Sequence, residues 1–262
     1  MNKPSAEDIE VKRQLRAMTR RGLVIGGSSA LVLGTAWTWI TSRSPDGLIP
    51  WPLRRVLELD EKVGRKLFHP KRLAPSFPTS LVRMPRINGR IGIDLKLDLD
   101  RWRLKVDGPA GTRSFSLAEV KALPRFEMTT ELKCVEGWSE IVTWAGARLV
   151  DLAGLTGLAR ISGQPGDPLA DPVDLLPFAS LVTPDSKYFV GLDIASALHP
   201  QTLLCYEMNG QPLTREHGAP LRLAIPLKYG IKSLKQIGTL QFTSQQPADY
   251  WALKGYDWYA GH

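Results

Sequence analysis

Sulfur is scarce in this chain: 262 residues hold two cysteines, Cys134 and Cys205, with no C-x-x-C and no C-x-x-C-H. That excludes a zinc ribbon, a thioredoxin-type dithiol and covalently attached c-type haem. A Cys134–Cys205 disulfide is discounted too, because bridging demands a geometry that spacing does not indicate. Histidine is equally sparse. His69, His199, His217 and His262 stand far apart, and none falls in a local pattern that pairs it with a cysteine. Repeats and low-complexity tracts are missing. The 20 prolines and 23 glycines are scattered, and 43% of the residues are hydrophobic, which argues for a folded body of short elements and many turns rather than disorder or a helical bundle.

Most of the chain also lacks a charge excess. The net +8 comes from residues 1–85, while residues 86–262 carry nineteen basic and nineteen acidic side chains. A neutral main body excludes a general phosphate-backbone binder, so no nucleic-acid partner is expected, whereas a basic N-terminal region suits a membrane surface.

What is there begins with Arg20–Arg21, followed by nineteen uncharged residues from Gly22 to Ile40. As a helix they would span about 28 Å, close to the ~30 Å hydrocarbon core. The stretch TRRGLV resembles a twin-arginine signal, so the expected partner is the twin-arginine export machinery and the expected location the periplasm, with residues 22–40 as cleaved signal or retained anchor. Leu53 to Phe68 has the apolar period of an amphipathic helix, and FHPKRLAPSFP reads as an extended linker. The expected organisation is therefore 1–43 signal or anchor, 44–85 amphipathic helix and linker, and 86–262 main domain.

Within that domain Ile91, Ile93, Leu95, Leu97 and Leu99 alternate with Gly92, Asp94, Lys96 and Asp98, which predicts a half-buried strand. Ser116 and Glu119 have capping-box spacing for a short helix. Phe126, Met128, Thr130, Leu132 and Cys134 share one face of another strand. PLRLAIPLKYG and IKSLKQIGTLQF read as further short strands around a turn. The fold class is α+β, mainly β.

On pattern alone Cys134 can be a buried, inert residue, a nucleophile partnered by a histidine such as His217, or a single thiolate ligand to a metal held mainly by an organic cofactor. ELKCVEGWSEIVTWAGARLVDL resembles the motif around the molybdenum-ligating cysteine of the sulfite-oxidase family of molybdopterin enzymes. MNGQPLTREHGAPLRLAIPLKYGIKSLKQI resembles that family's later cofactor-binding segment. The two blocks stand in the family's order and together cover most of residues 86–242.

The resemblance implies a sulfite-oxidase-type molybdopterin-binding domain with short helices, carrying Mo-molybdopterin. Cys134 takes the place of the catalytic thiolate ligand to the metal. Arg222 and Lys235 match basic contacts to the phosphate and pterin, His217 stands where the family has histidine or asparagine, and Ser233 where a polar or main-chain contact is made. Asn88 and Thr183 match further cofactor contacts, and Arg86 stands where sulfite-oxidising members face substrate. The implied activity is oxygen-atom transfer on a small sulfur oxyanion or a sulfoxide.

No haem motif is present, so the implied electron partner is a membrane or periplasmic haem protein. Sulfite oxidases proper add an immunoglobulin-like dimerisation domain, for which no sequence follows the lysine block, so a monomer is expected. In layout the chain is more similar to the family's periplasmic methionine-sulfoxide reductase branch. The alternatives are a cofactor-free, membrane-anchored binding module and a cysteine hydrolase using Cys134 and His217.

Overall fold

The computed structural model describes residues 26–69 and 71–262. Arg20, Arg21 and the start of the uncharged run lie outside the described residues. Two compact units divide at Val56. In the first, residues 26–41 are helical (α1), and β1 (Pro45–Asp46) pairs with β2 (Ile49–Pro50) as a hairpin. Leu31, Val32, Leu33, Trp37 and Trp39 of α1 are exposed. Among the described residues no helix is long and apolar enough to cross a membrane.

Helix α2 (Trp51–Leu67) starts at the end of the first unit and runs into the second. Its turns from Leu57 onward belong to the second unit and pack within it: the Arg65 guanidinium lies 5.2 Å from the Trp258 ring and 5.6 Å from Phe178. After a turn in which Arg72 N–H donates to His69 O at 2.9 Å, residues 72–78 take no regular secondary structure and are bonded to the main body. Phe77 N–H donates to Thr129 O at 3.0 Å and Arg83 N–H to Ile141 O at 2.9 Å.

Two five-stranded sheets follow. One has the order β4 (Gly111–Phe115), β3 (Leu104–Gly108), β12 (Thr239–Thr243), β7 (Phe178–Val182), β8 (Phe189–Asp193), with β3 and β12 parallel and the other pairs antiparallel. The other runs β10 (Gln211–Pro212), β9 (Leu203–Met208), β6 (Ser139–Arg148), β5 (Arg125–Lys133), and β11 (Arg222–Ala224) also pairs with β9. Short helices punctuate them: α3 (Leu117–Lys121), α4 (Leu149–Thr156), α5 (Ile194–Ala197) and α6 (Tyr250–Leu253). This is the α+β, mainly β class the sequence implies. The capping box forms as its spacing predicts, Glu119 N–H donating to Ser116 Oγ at 3.2 Å and Ser116 N–H to Glu119 Oε2 at 2.7 Å.

Both sheets feed the larger core. Leu104, Val106, Leu181, Leu192 and Leu240 come from one, Ala147, Leu204 and Leu223 from the other, and α4 adds Leu149 and Leu152. Each fully buried leucine of this set contributes roughly 1.5–3 kcal/mol. Cys205 sits in a second cluster with Met128, Val142 and Trp144. Burial pushes its thiol up to about 12, so it is a core residue, and both cysteines are free.

The strand expected over 91–99 does not form: those residues make consecutive turns. The reason is local competition for backbone donors. Asp94 Oδ1 accepts from Lys96 N–H at 2.8 Å, and Asp98 Oδ1 accepts from Asp100 and Arg101 N–H, both at 3.1 Å, so carboxylates take the place of a ladder partner. Buried Gln236 completes the hold, accepting from Asp94 N–H at 2.6 Å and donating to Asp94 O at 3.1 Å. The expected second strand IKSLKQIGTLQF is likewise a single turn of 3-10 helix at Gly230–Lys232, an irregular link and then β12.

Candidate functional site

Strand β5 delivers the cysteine. Its face buries Met128 and Thr130, half-buries Leu132, and ends at Lys133, so Cys134 is the first residue past the sheet. A tight turn follows, in which Cys134 N–H donates to Trp138 O at 2.9 Å and Gly137 N–H to Cys134 O at 3.1 Å. Gly137 has φ +85°, which only glycine adopts without strain. The turn holds the half-buried Cys134 in the lining of a cleft of ≈ 170 Å³.

Four cationic or polar side chains from the later block, His217, Arg222, Ser233 and Lys235, line the same cleft. Arg222, on β11 opposite Cys205, is 3% exposed, and its guanidinium lies 4.7 Å over the Trp144 ring. It donates through Nη1 to His217 O at 3.1 Å and through Nη2 to Ser233 O at 3.4 Å, while Nε has no partner. His217 is placed by the turn after Thr214, whose carbonyl accepts from His217 N–H at 3.1 Å and from Ala219 N–H at 3.0 Å. Gly218 makes the close approach there: φ is +98°, and a Cβ would come within 2.7 Å of Lys235 Cβ. The Ala219–Pro220 peptide bond is cis. Lys235 Nζ donates to Asn88 O at 2.9 Å, Glu216 O at 3.2 Å and Gly89 O at 3.4 Å, which pins the 88–89 loop to the 216 loop.

Among the described residues no carboxylate forms an ion pair with Arg222 or Lys235. The electrostatics follow from that. Burial and then the Arg222 and Lys235 charges push His217 down to about 4, so its ring is neutral at pH 7. Burial, then Arg222, lowers Lys235 to about 8, and burial lowers Arg222 to about 10. Both stay charged at neutral pH. A partly buried cationic wall with an orphaned guanidinium N–H suits an anion such as a carboxylate or a phosphate.

Asn88 faces the sulfur. Its Nδ2 donates to Cys134 Sγ at 3.6 Å and to Glu136 Oε2 at 3.2 Å, and Trp138 Nε1 donates to the same carboxylate oxygen at 3.0 Å. Arg86 lines the cleft as well, 5.7 Å over the Trp138 ring. The structure thus brings Asn88, Cys134, His217, Arg222, Ser233 and Lys235 together. Thr183 is not among the lining residues. It is buried in the β7–β8 turn, where Oγ1 donates to Asp185 Oδ1 at 2.7 Å and accepts from Tyr188 N–H at 3.1 Å. No hydrogen bond joins Cys134 to His217 among the described residues.

Sequence reasoning missed the aromatic side of the cleft. Tyr188, Trp251 and Tyr256 line it together with Trp138. Trp251 packs edge-on against Tyr256 at 5.1 Å, and Tyr188 OH donates to Ile231 O at 2.6 Å. A signal existed in DYWALKGYDWY, with five aromatics in residues 250–259. The cleft therefore offers a thiol at its edge, a cationic wall and an aromatic wall.

Comparison with known proteins narrows the anion. The model of the oxidoreductase molybdopterin binding domain matches residues 91–251, a span that includes Cys134, His217, Arg222, Ser233 and Lys235. The chain is 32% identical over 250 residues to YedZ1 of Azospira oryzae, a subunit named for protein-methionine-sulfoxide reduction, covering 94% of this chain and 87% of that one. It is 38% identical over 158 residues to the protein-methionine-sulfoxide reductase catalytic subunit MsrP of Xanthomonas campestris, covering 59% of this chain and 49% of MsrP, so it spans about half of that relative. Among solved structures it is similar to the sulfane dehydrogenase SoxCD of Paracoccus pantotrophus, at 18% identity and TM-score 0.47 over 58% of this chain and 40% of that one, too distant to transfer a residue.

Proposed function

Because the chain belongs to the oxidoreductase molybdopterin binding domain family and its cofactor is Mo-molybdopterin, we propose that it reduces an organic sulfoxide at a molybdenum ligated by Cys134. The observation that carries this reading is the placement of the Cys134 thiol in one cleft with a buried, carboxylate-free cationic wall. The residues fit the group: the unpartnered Arg222 Nε and the Lys235 ammonium suit its phosphate, with His217, Ser233 and Asn88 offering polar contacts beside them. When bound, the cofactor supplies two-electron oxygen-atom transfer.

The chain's own residues then divide the remaining work. The Gly137 turn and the Asn88 amide aim the sulfur. Trp138, Tyr188, Trp251 and Tyr256 present apolar and edge-polar surface to the substituents on a substrate sulfur and exclude water from them. Glu136, the carboxylate lining the cleft among the described residues, accepts from Asn88 Nδ2 and Trp138 Nε1 and so holds both side chains beside the sulfur. The net reaction takes a sulfoxide, two electrons and two protons to a sulfide and water. A sulfoxide is favoured over a sulfur oxyanion by this aromatic wall, and by relatives named for methionine-sulfoxide reduction.

The two electrons arrive from a haem electron-transfer protein of the membrane or periplasm, since the chain has no haem attachment motif. Export through the twin-arginine machinery places the domain in the periplasm, supported by Arg20–Arg21 and the uncharged run to Ile40. The exposed Leu31, Leu33, Trp37 and Trp39 of the helix over 26–41 support a retained anchor.

Molybdenum-loaded protein with a reduced viologen dye as donor tests the reading against dimethyl sulfoxide, methyl p-tolyl sulfoxide and sulfite. Turnover of the sulfoxides is expected, with Cys134→Ser lowering kcat by roughly a hundredfold or more. Full molybdenum loading without sulfoxide turnover, or oxidation of sulfite instead, sinks it.

A further inference from the structure

Asp249 belongs to two bond systems at once. Its Oδ1 accepts from Trp251 N–H and Ala252 N–H, both at 3.1 Å, and so caps α6. Its Oδ2 accepts from the Lys232 ammonium at 2.6 Å and from Gly191 N–H at 3.2 Å. Lys232 is fully buried, donates also to Gly191 O at 2.9 Å, and lies 4.7 Å over the Trp258 ring. Burial works against its charge, and Asp249 is the foremost group opposing that. Such a pair is a costly way to join two segments, and apolar side chains would serve stability as well. A positional role is the better account of it.

Each partner is one step from the cleft, and neither lines it. Lys232 is flanked by Ile231 and Ser233, which do. Ile231 O accepts from Tyr188 OH, and Ser233 O accepts from Arg222 Nη2. Asp249 opens the short helix that delivers Trp251, after which the chain turns to Tyr256. The bond between them ties the anion-binding wall to the aromatic wall. A slip of the Asp249 segment would alter the gap that substrate enters while leaving Arg222, Lys235 and Cys134 in place.

We propose that the buried Lys232–Asp249 pair is a positioning element that fixes the spacing between these two walls and thereby sets how tightly the site holds an apolar substituent on the substrate sulfur. The identity of the substrate rests on the reading under Proposed function, whereas the coupling of the walls does not.

The test uses the full, molybdenum-loaded chain as Asp249→Asn and as the double variant Lys232→Gln with Asp249→Asn, which strands no charge and serves if the single variant misfolds. Methyl p-tolyl sulfoxide and dimethyl sulfoxide are compared. Both variants should raise KM for the aryl sulfoxide about tenfold and leave kcat, and KM for dimethyl sulfoxide, within about threefold. KM values that move together, or a lower yield of protein with both KM values unchanged, would overturn the proposal and leave the pair a structural bond only. Should the wild type reduce no sulfoxide, the sulfoxide reading fails by itself. The comparison then runs on tryptophan-fluorescence titration with methyl p-tolyl sulfone: a Kd about tenfold weaker in both variants supports the coupling, and an unchanged Kd or no binding by the wild type rejects it.

Discussion

Arg222 lies over Trp144, its guanidinium carbon 4.7 Å from the ring centroid, with one N–H directed at no partner. Stacking satisfies the flat face of the guanidinium but not its edge. Because the two carbonyls it meets carry no charge, the group retains a positive field that an anion can use.

Replacing it should therefore act on cofactor retention before anything else. Charge-assisted hydrogen bonds contribute about 1.5–3 kcal/mol, so Arg222→Met is expected to weaken the hold on the pterin phosphate by roughly 10- to 150-fold. Pterin fluorescence after denaturation, with molybdenum content on the same samples, measures it. Retention equal to wild type would show that the phosphate sits elsewhere.

His217 gives the cofactor-free protein a pH signature. Its folded value, about 4, lies below the ordinary 6.5, so between those values the unfolded chain binds the extra proton and stability rises with pH. The contribution is fully present above about 6.5 and lost as pH falls toward 4, at a slope approaching about 1.4 kcal/mol per pH unit. Denaturant titrations of wild type and His217→Gln across pH 4–7 should differ by that slope. Parallel curves would contradict a buried neutral imidazole.

Two glycines separate strain from crowding. At Gly137 a Cβ would meet nothing within 4 Å, and only the φ of +85° resists it, so Gly137→Ala should cost about 1–2 kcal/mol. At Gly218 the added carbon would also press on Lys235 Cβ and Gln236 N, so Gly218→Ala should cost more and release Lys235 from the 88–89 loop. Urea unfolding ranks the two variants, and the reverse order would refute the packing described around Lys235.

How much of this could be read beforehand depends on the range of the forces involved. Features settled by near neighbours were legible. The Ser116–Glu119 box formed, β5 carried its alternating face to Cys134, and the period of Leu53 to Phe68 became α2. The two blocks placed Arg222, His217, Ser233 and Lys235 in one cleft with Cys134 because a family resemblance carries long-range information that periodicity does not. Periodicity misled over 91–99, where Asp94 and Asp98 compete for the backbone donors a strand would need. Tyr188, Trp251 and Tyr256 were missed because the bonds that gather them, from Tyr188 to Ile231 and from Lys232 to Asp249, join residues far apart in the chain. The burial of Lys228 and Lys232 was illegible for the same reason, since their counter-charges, Asp193 and Asp249, lie in other elements.

Molybdenum K-edge X-ray absorption on wild type and Cys134→Ser reads whether the Cys134 sulfur is a ligand of the metal. The variant should lose one sulfur scatterer from the molybdenum shell. An unchanged sulfur count in a fully loaded variant would contradict it and make Cys134 a neighbour of the cofactor rather than its anchor.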